Sequence, residues 1–274
     1  MKFYQEQELR NFSTTAFAYL AVEVESRILR IKLNRPEKRN AMTPVMMNEI
    51  AFAIEYAAIN DDIYVVELSA NGPVFCAGAD LKAFAGEIAE KDSKIPLPNQ
   101  PVKLGDVFKH LYKPCIAKIH ADVFAGGFLL LGGCSHVICS ENAKFALPEI
   151  NRGIWPFQVM ASLAPLLKKR DLLDLCMSGK VYNATEAKQI GLVSNVVIES
   201  DLTQTVEKLI IELSEKAPLA MRKGFEAYEK MLNLAEQEKH TYLQSMLNDL
   251  LKSEDAKEGI QAFAEKRKPV WRGQ

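Results

Sequence analysis

Apolar and polar positions along the chain switch between two periods. Residues 17–24 and 27–33 alternate or run apolar and are rich in branched side chains, which predicts paired strands. A polar turn from Asn34 to Asn40 follows. The stretch MMNEIAFAIEYAAI then has helical spacing, with Thr43 or Asn40 as its cap and Pro44 in its first turn. YVVELSA at 64–70 reads as a buried strand, broken by Asn71-Gly72-Pro73. Residues 115–121 and 136–140 predict further strands, with a glycine-containing helix at 126–133 between them. Strands alternating with helices indicate an α/β arrangement. Beyond about residue 182 the pattern becomes helical, over 184–190, 202–216, 218–234, 239–252 and 255–267. Residues 86–103 have little periodicity, being charged and then proline-rich. They read as a mobile loop, either a lid or a solvated excursion.

Composition narrows the class. The chain has 274 residues, 48% hydrophobic and 25% charged, which suits a globular protein whose core needs no metal or disulfide. Thirty-four basic against 35 acidic side chains give a formal charge of -1. That balance argues against nucleic acid as a partner. The five cysteines include no close C-x-x-C pair, which points to reduced, inert thiols and no metal site. The first residues contain no long apolar run, so neither a secretory signal nor a membrane span is expected, and a cytoplasmic location follows as an expectation.

Three segments carry candidate chemistry. Phe75-Cys76-Ala77-Gly78-Ala79-Asp80-Leu81-Lys82 follows a strand and its turn, and its small residues allow a ligand to approach the backbone. Ala125-Gly126-Gly127 opens a helix, where free N–H groups stabilise negative charge. Leu147-Pro148-Glu149 places a carboxylate among apolar residues, a setting that raises its proton affinity. Each has a plainer alternative: a tight loop, close helix packing, and a surface carboxylate.

Together these segments resemble the enoyl-CoA hydratase/isomerase, or crotonase, family along nearly the whole chain. The matching motifs are LNRPEKRNAM (33–42), FCAGADLKAF (75–84), FAGGFLLLGGC (124–134), FALPEINRGIWP (145–156) and EGIQAFAEKRKPVW (258–271). The resemblance implies a crotonase-type spiral of ββα units over residues 1–195 and a helical trimerisation region over 196–274, with trimers pairing into hexamers. It implies an acyl-CoA thioester as substrate, with coenzyme A entering as part of that substrate and no separate cofactor. The N–H groups of Ala79 and Gly126 would form an oxyanion hole. Lys38, Arg39, Ala77, Gly78, Asp80, Leu81 and Lys82 would line the CoA groove or flank the thioester. A turn-stabilising role is the stronger expectation for Asp80. Phe263 and Lys266 would meet the adenine and phosphate, often in a neighbouring subunit.

One departure matters most. Hydratases of the family carry two glutamates twenty residues apart. Glu149 matches the second, and Leu129 stands at the first. A 1,3-proton shift needs a single base, so the pattern resembles the family's Δ3,Δ2-enoyl-CoA isomerases. Trp155 and Phe157 are expected to add a bulky apolar wall that disfavours a held water. The leading expectation is therefore an isomerase with Glu149 as its base. The alternatives are a hydratase, a decarboxylase, or a non-catalytic CoA-binding member.

Overall fold

The computed structural model describes residues 2–274. Two strands, β1 (Leu20–Glu25) and β2 (Ile28–Leu33), pair antiparallel from Leu20↔Leu33 to Glu25↔Ile28. Ser26 and Arg27 between them both have positive φ, 48° and 71°. Two such residues suit the twist of a tight hairpin. β3 (Val65–Ala70), β4 (Cys115–Ile119), β6 (His136–Ser140) and β9 (Asn195–Val197) then add in parallel, giving the order β1-β2-β3-β4-β6-β9. A second sheet holds β5 (Val123–Phe124), β7 (Lys144–Ala146) and β8 (Tyr182–Asn183), in the order β5-β7-β8. Strands, turns and helices alternate along the chain through β9, as expected of a spiral α/β arrangement.

Side chains alternate across a strand, so each strand of the large sheet serves two cores. Leu29, Val66, Ala117 and Cys139 face the main core. Ile28, Val65, Ile116 and Ile138 face the opposite way, onto Leu202, Val206 and Ile210 of the helix Leu202–Ser214. Polar members of that second face pair off. Glu67, only 2% exposed, is bonded to Arg30 and lies 2.9 Å from Lys118 Nζ. Arg30 also holds Glu207 of the covering helix with two bonds, of 2.7 and 2.8 Å.

The helix Pro44–Ile59 is apolar on nearly all sides and runs through the main core. Thr43 caps it, accepting from Met46 N at 3.1 Å. Asn40 is instead buried at φ 51° in the preceding turn. Its Nδ2 donates to Asn71 O and Val74 O, and its Oδ1 accepts from Arg35 N.

Residues 86–103, expected to be mobile, are fastened. Val45 N donates to Glu90 at 2.9 Å, Lys91 N to Tyr19 Oη at 2.7 Å, and Ser93 Oγ to buried Glu49 at 2.6 Å. Asn99 N reaches Phe3 O, and Ile95 and Val102 pack against the core. The segment lacks periodicity because its partners are scattered groups on other elements.

Past residue 214 the helices Pro218–Met231, Glu236–Leu250 and Glu254–Ala264 follow. No helix of the described residues is long and apolar enough to cross a membrane.

Candidate active site

Three chain segments run side by side in one register. Cys76 bridges in parallel to Val123, and Val123 pairs in parallel with Phe145. Three residues beyond the first two stand Ala79 and Gly126, and four beyond the third stands Glu149. The sequence-predicted chemistry therefore leaves the sheet at one edge.

Local bonding determines which amides remain free there. Met42 N donates to Gly78 O at 2.8 Å, and Asp80 N donates to Met42 O at 2.9 Å. Backbone groups alternate sides along an extended segment, so these two bonds turn the Ala79 N–H away from Met42. Gly126 is the second residue of the short 3-10 turn Ala125–Gly127, ahead of the first amide that such a turn can bond internally. The two turns touch. A β-carbon built on Gly126 would lie 3.6 Å from Ala79 N, and one on Gly78 would lie 3.3 Å from Gly126 N.

Glu149 lies in the turn Pro148–Arg152 that follows β7. It is half-buried, and its Oε2 is buried without a hydrogen-bond partner. Burial pushes the carboxyl up from its usual value; its own backbone N–H and the Arg152 charge oppose this only in part. The nearby Cys176 thiol is pushed up by burial and by the Glu149 charge. Leu129, on the helix Phe128–Gly132, is half-buried against the main core. Trp155 is similarly placed, its Nε1–H donating to Met160 Sδ at 3.4 Å. Phe157 opens the helix Phe157–Leu163 and is 66% exposed. Trp155 is thus packed inward, while Phe157 stands largely open to solvent in the single chain.

Lys38 and Arg39 stand exposed in the turn after β2, which is tied to the first site segment by Ala77 N donating to Arg39 O at 3.0 Å. Leu81 and Lys82 are exposed on the short helical turn Leu81–Phe84, which Asp80 caps through Ala83 N. These residues gather at the C-terminal ends of the parallel strands. Phe263 and Lys266 do not join them. The start of their helix and the following tail pack where the strands begin: Trp271 donates to Glu215 O, and Arg222 of the helix Pro218–Met231 bonds both Gly273 O in the tail and Asp61 just before β3. Phe263 is 88% exposed there.

Arg35 and Asn40 were not singled out as site residues by sequence reasoning. Both lie inside LNRPEKRNAM, yet their partners are distant in the chain. Arg35 is 4% exposed and pairs with Asp80 at 2.7 Å. Burial alone would raise the Asp80 carboxyl; the hydrogen bond and charge of Arg35, together with the backbone N–H groups of Ala83 and Lys82, outweigh it and hold Asp80 below its usual value.

An α/β fold in which two small-residue turns meet, with Glu149 in the turn that leaves the neighbouring strand, places the chain in the crotonase-fold class of acyl-CoA proteins. Within it, the chain belongs to the enoyl-CoA hydratase/isomerase family, whose model matches residues 23–274. It is 37% identical over 257 residues to carnitinyl-CoA dehydratase of Salmonella typhi, covering 90% of this chain and 95% of that one. It is 32% identical over 254 residues to a mevalonyl-coenzyme A hydratase of Aspergillus fumigatus, covering 89% and 91%. A solved structure of a probable enoyl-CoA hydratase/isomerase from Mycobacterium abscessus superposes with a TM-score of 0.84 at 28% identity, covering 94% of this chain and all of that one.

Proposed function

We infer that the protein adds and removes water at the α,β double bond of an acyl-CoA thioester. The reading rests on the shared register that brings Ala79, Gly126 and Glu149 to one edge. Two relatives named as a dehydratase and a hydratase support it over the isomerase expectation. In the dehydration direction the Glu149 carboxylate removes the proton from Cα. The electron pair moves onto the thioester oxygen, where the N–H groups of Ala79 and Gly126 stabilise the enolate. The enolate then collapses to the α,β double bond, and the C3–O bond breaks. Protonated Glu149 gives its proton to the departing hydroxide, forming water. With Leu129 in place of a second carboxylate, one glutamate carries both transfers on one face of the substrate. Its raised proton affinity suits a group that must take a proton and return it. Lys38, Arg39, Ala77, Leu81 and Lys82 would line the groove for the CoA moiety. Phe263 and Lys266, at the far end of the fold, would serve a neighbouring subunit.

A second reading, shifting a double bond from Δ3 to Δ2, is favoured by Leu129 alone. It uses Glu149 to move one proton from C2 to C4. Offering 2-enoyl-CoA and 3-enoyl-CoA in parallel separates the two. Loss of conjugated absorbance from the 2-enoyl substrate, with a 3-hydroxyacyl product, supports water addition. New conjugated absorbance from the 3-enoyl substrate, with no hydration, overturns it in favour of the isomerase.

A further inference from the structure

The Ala79 amide has no side chain to anchor it, so its direction is set by the flanking residues. Before it, Gly78 O accepts from Met42 N; after it, Asp80 N donates to Met42 O. Both anchors are on Met42, at the end of the turn 34–42. That turn is itself placed from within. One nitrogen of Arg35, Nη1, donates to Ala41 O at 2.8 Å and to Asp80 Oδ2 at 2.7 Å. The same guanidinium therefore grips the residue before Met42 and the residue after Ala79. The other Asp80 oxygen accepts from Ala83 N at 3.2 Å, which stops the carboxylate from rotating away. Arg35 is held in turn: its guanidinium carbon lies 5.5 Å from the centre of the Tyr19 ring, and the Tyr19 hydroxyl accepts from Lys91 N. The side chains of Arg35 and Asp80 are 5% and 13% exposed, so the pair works in a setting where water competes weakly.

We propose that Arg35 is a positioning residue for the reaction, acting through Asp80 to aim the Ala79 N–H at the thioester oxygen. The proposal rests on the oxyanion reading of Ala79 and Gly126. It follows from a difference in rigidity. Gly126 sits half-buried in a 3-10 turn whose next residue, Gly127, is buried, whereas Ala79 is exposed and only Asp80 separates it from the exposed Leu81 and Lys82. Of the two donors, Ala79 is the one that needs an external clamp. Misaiming a hydrogen-bond donor weakens it steeply with angle, and complete loss of one oxyanion donor costs roughly 10²–10³ in rate. A donor displaced but still present should cost less, about 10–10² in kcat. Binding of the CoA moiety uses other groups, so KM should change much less.

The test uses the full chain carrying Arg35→Gln, Asp80→Asn, and both together. Two quantities are read: kcat and KM with a short 2-enoyl-CoA, and the carbonyl stretching frequency of a bound saturated acyl-CoA labelled with carbon-13 at the thioester carbonyl. In the wild type a preorganised pair of donors lowers that frequency relative to free ligand. The expected result is that each variant loses at least about half of the lowering and about 10–10² in kcat, with KM within about threefold. The double variant should lose no more than the worse single one, because both substitutions break one contact. A full lowering in the variants, with or without a fall in kcat, overturns the proposal and leaves Arg35 a purely structural residue. Should Arg35→Gln fail to fold, Asp80→Asn decides alone, since an asparagine oxygen can still accept from Ala83 N. A wild type that shows no lowering at all removes the oxyanion reading itself, an outcome distinct from failure of the clamp.

Discussion

Gly78 and Ala125 meet so closely that a β-carbon on the glycine would lie 2.7 Å from that of the alanine. Both sit at positive φ, 94° for Gly78 and 49° for Ala125. This contact between two left-handed turns brings the backbones carrying the Ala79 and Gly126 amides together. An alanine held outside its preferred region costs of order 1–3 kcal/mol, which the surrounding bonds must outweigh. Gly78→Ala would add a strained residue and push the turns apart. A fall in kcat/KM of at least about 10² is expected, the size of losing one oxyanion donor. Ala125→Gly relieves strain at the same contact, and its melting temperature should not fall below that of the wild type. A Gly78→Ala enzyme with unimpaired turnover would contradict the convergence of the two amides.

Glu149→Gln should lose at least about 10² in turnover, the lower end for general acid–base catalysis. Its effect on stability should run the other way. The folded-state pKa of Glu149 is raised by burial, so the native state binds this proton more tightly than the unfolded chain does. The stability associated with it is full below the unfolded value and is lost as pH rises through the folded one. Glutamine carries no charge to desolvate. Thermal melts at pH 8 should therefore show the variant at least as stable as the wild type, with the difference vanishing at acid pH. In the wild type, kcat/KM for dehydration should rise as pH passes upward through the raised Glu149 value. A variant that is both active and less stable at pH 8 would refute the assignment.

On the other face of the sheet, Arg30→Leu would leave Glu67 buried with only Lys118 as its charge partner. Removing one partner of a buried pair costs about 3 kcal/mol, at the low end of the usual range because the second cation remains. Urea titration should show that loss, little relieved by added salt. The substitution also removes the anchor of Glu207, so the helix Leu202–Ser214 should lose hydrogen-exchange protection first.

Self-association is expected through the C-terminal helices. Ile260, Phe263 and Val270 are 64%, 88% and 69% exposed, and Leu247 and Leu251 about half. Apolar surface of this kind marks interaction sites. Light scattering should give a particle three chains in mass, or a pair of such trimers. A Phe263→Ala variant that assembles normally but has a higher KM for the CoA substrate would place Phe263 at a neighbour's groove. A stable, fully active monomer would rule out both roles.

Much of this protein is determined locally and is legible residue by residue. Five strands of the large sheet, β1, β2, β3, β4 and β6, the helix after Thr43 and the C-terminal helices follow from periods of two and 3.6 and from capping residues, which act within a few positions. The small residues of the two site turns and the lone Glu149 are likewise visible, because backbone approach and a carboxylate in an apolar run are local features. The small sheet was not legible, since β5, β7 and β8 have only two or three residues each and no period to detect. Residues 86–103 looked free because their order comes from Glu49, Tyr19 and Phe3 on other elements. Phe157, expected in an apolar wall, begins a helix and is largely exposed in the single chain, a degree of exposure that its apolar character does not foretell. The clamp of Arg35 on Asp80 spans 45 positions. A hydrogen bond acts over about 3 Å whatever the separation along the chain. Sequence alone therefore determined which groups exist, and the packing of Cys76, Val123 and Phe145 into one register decided which of them meet.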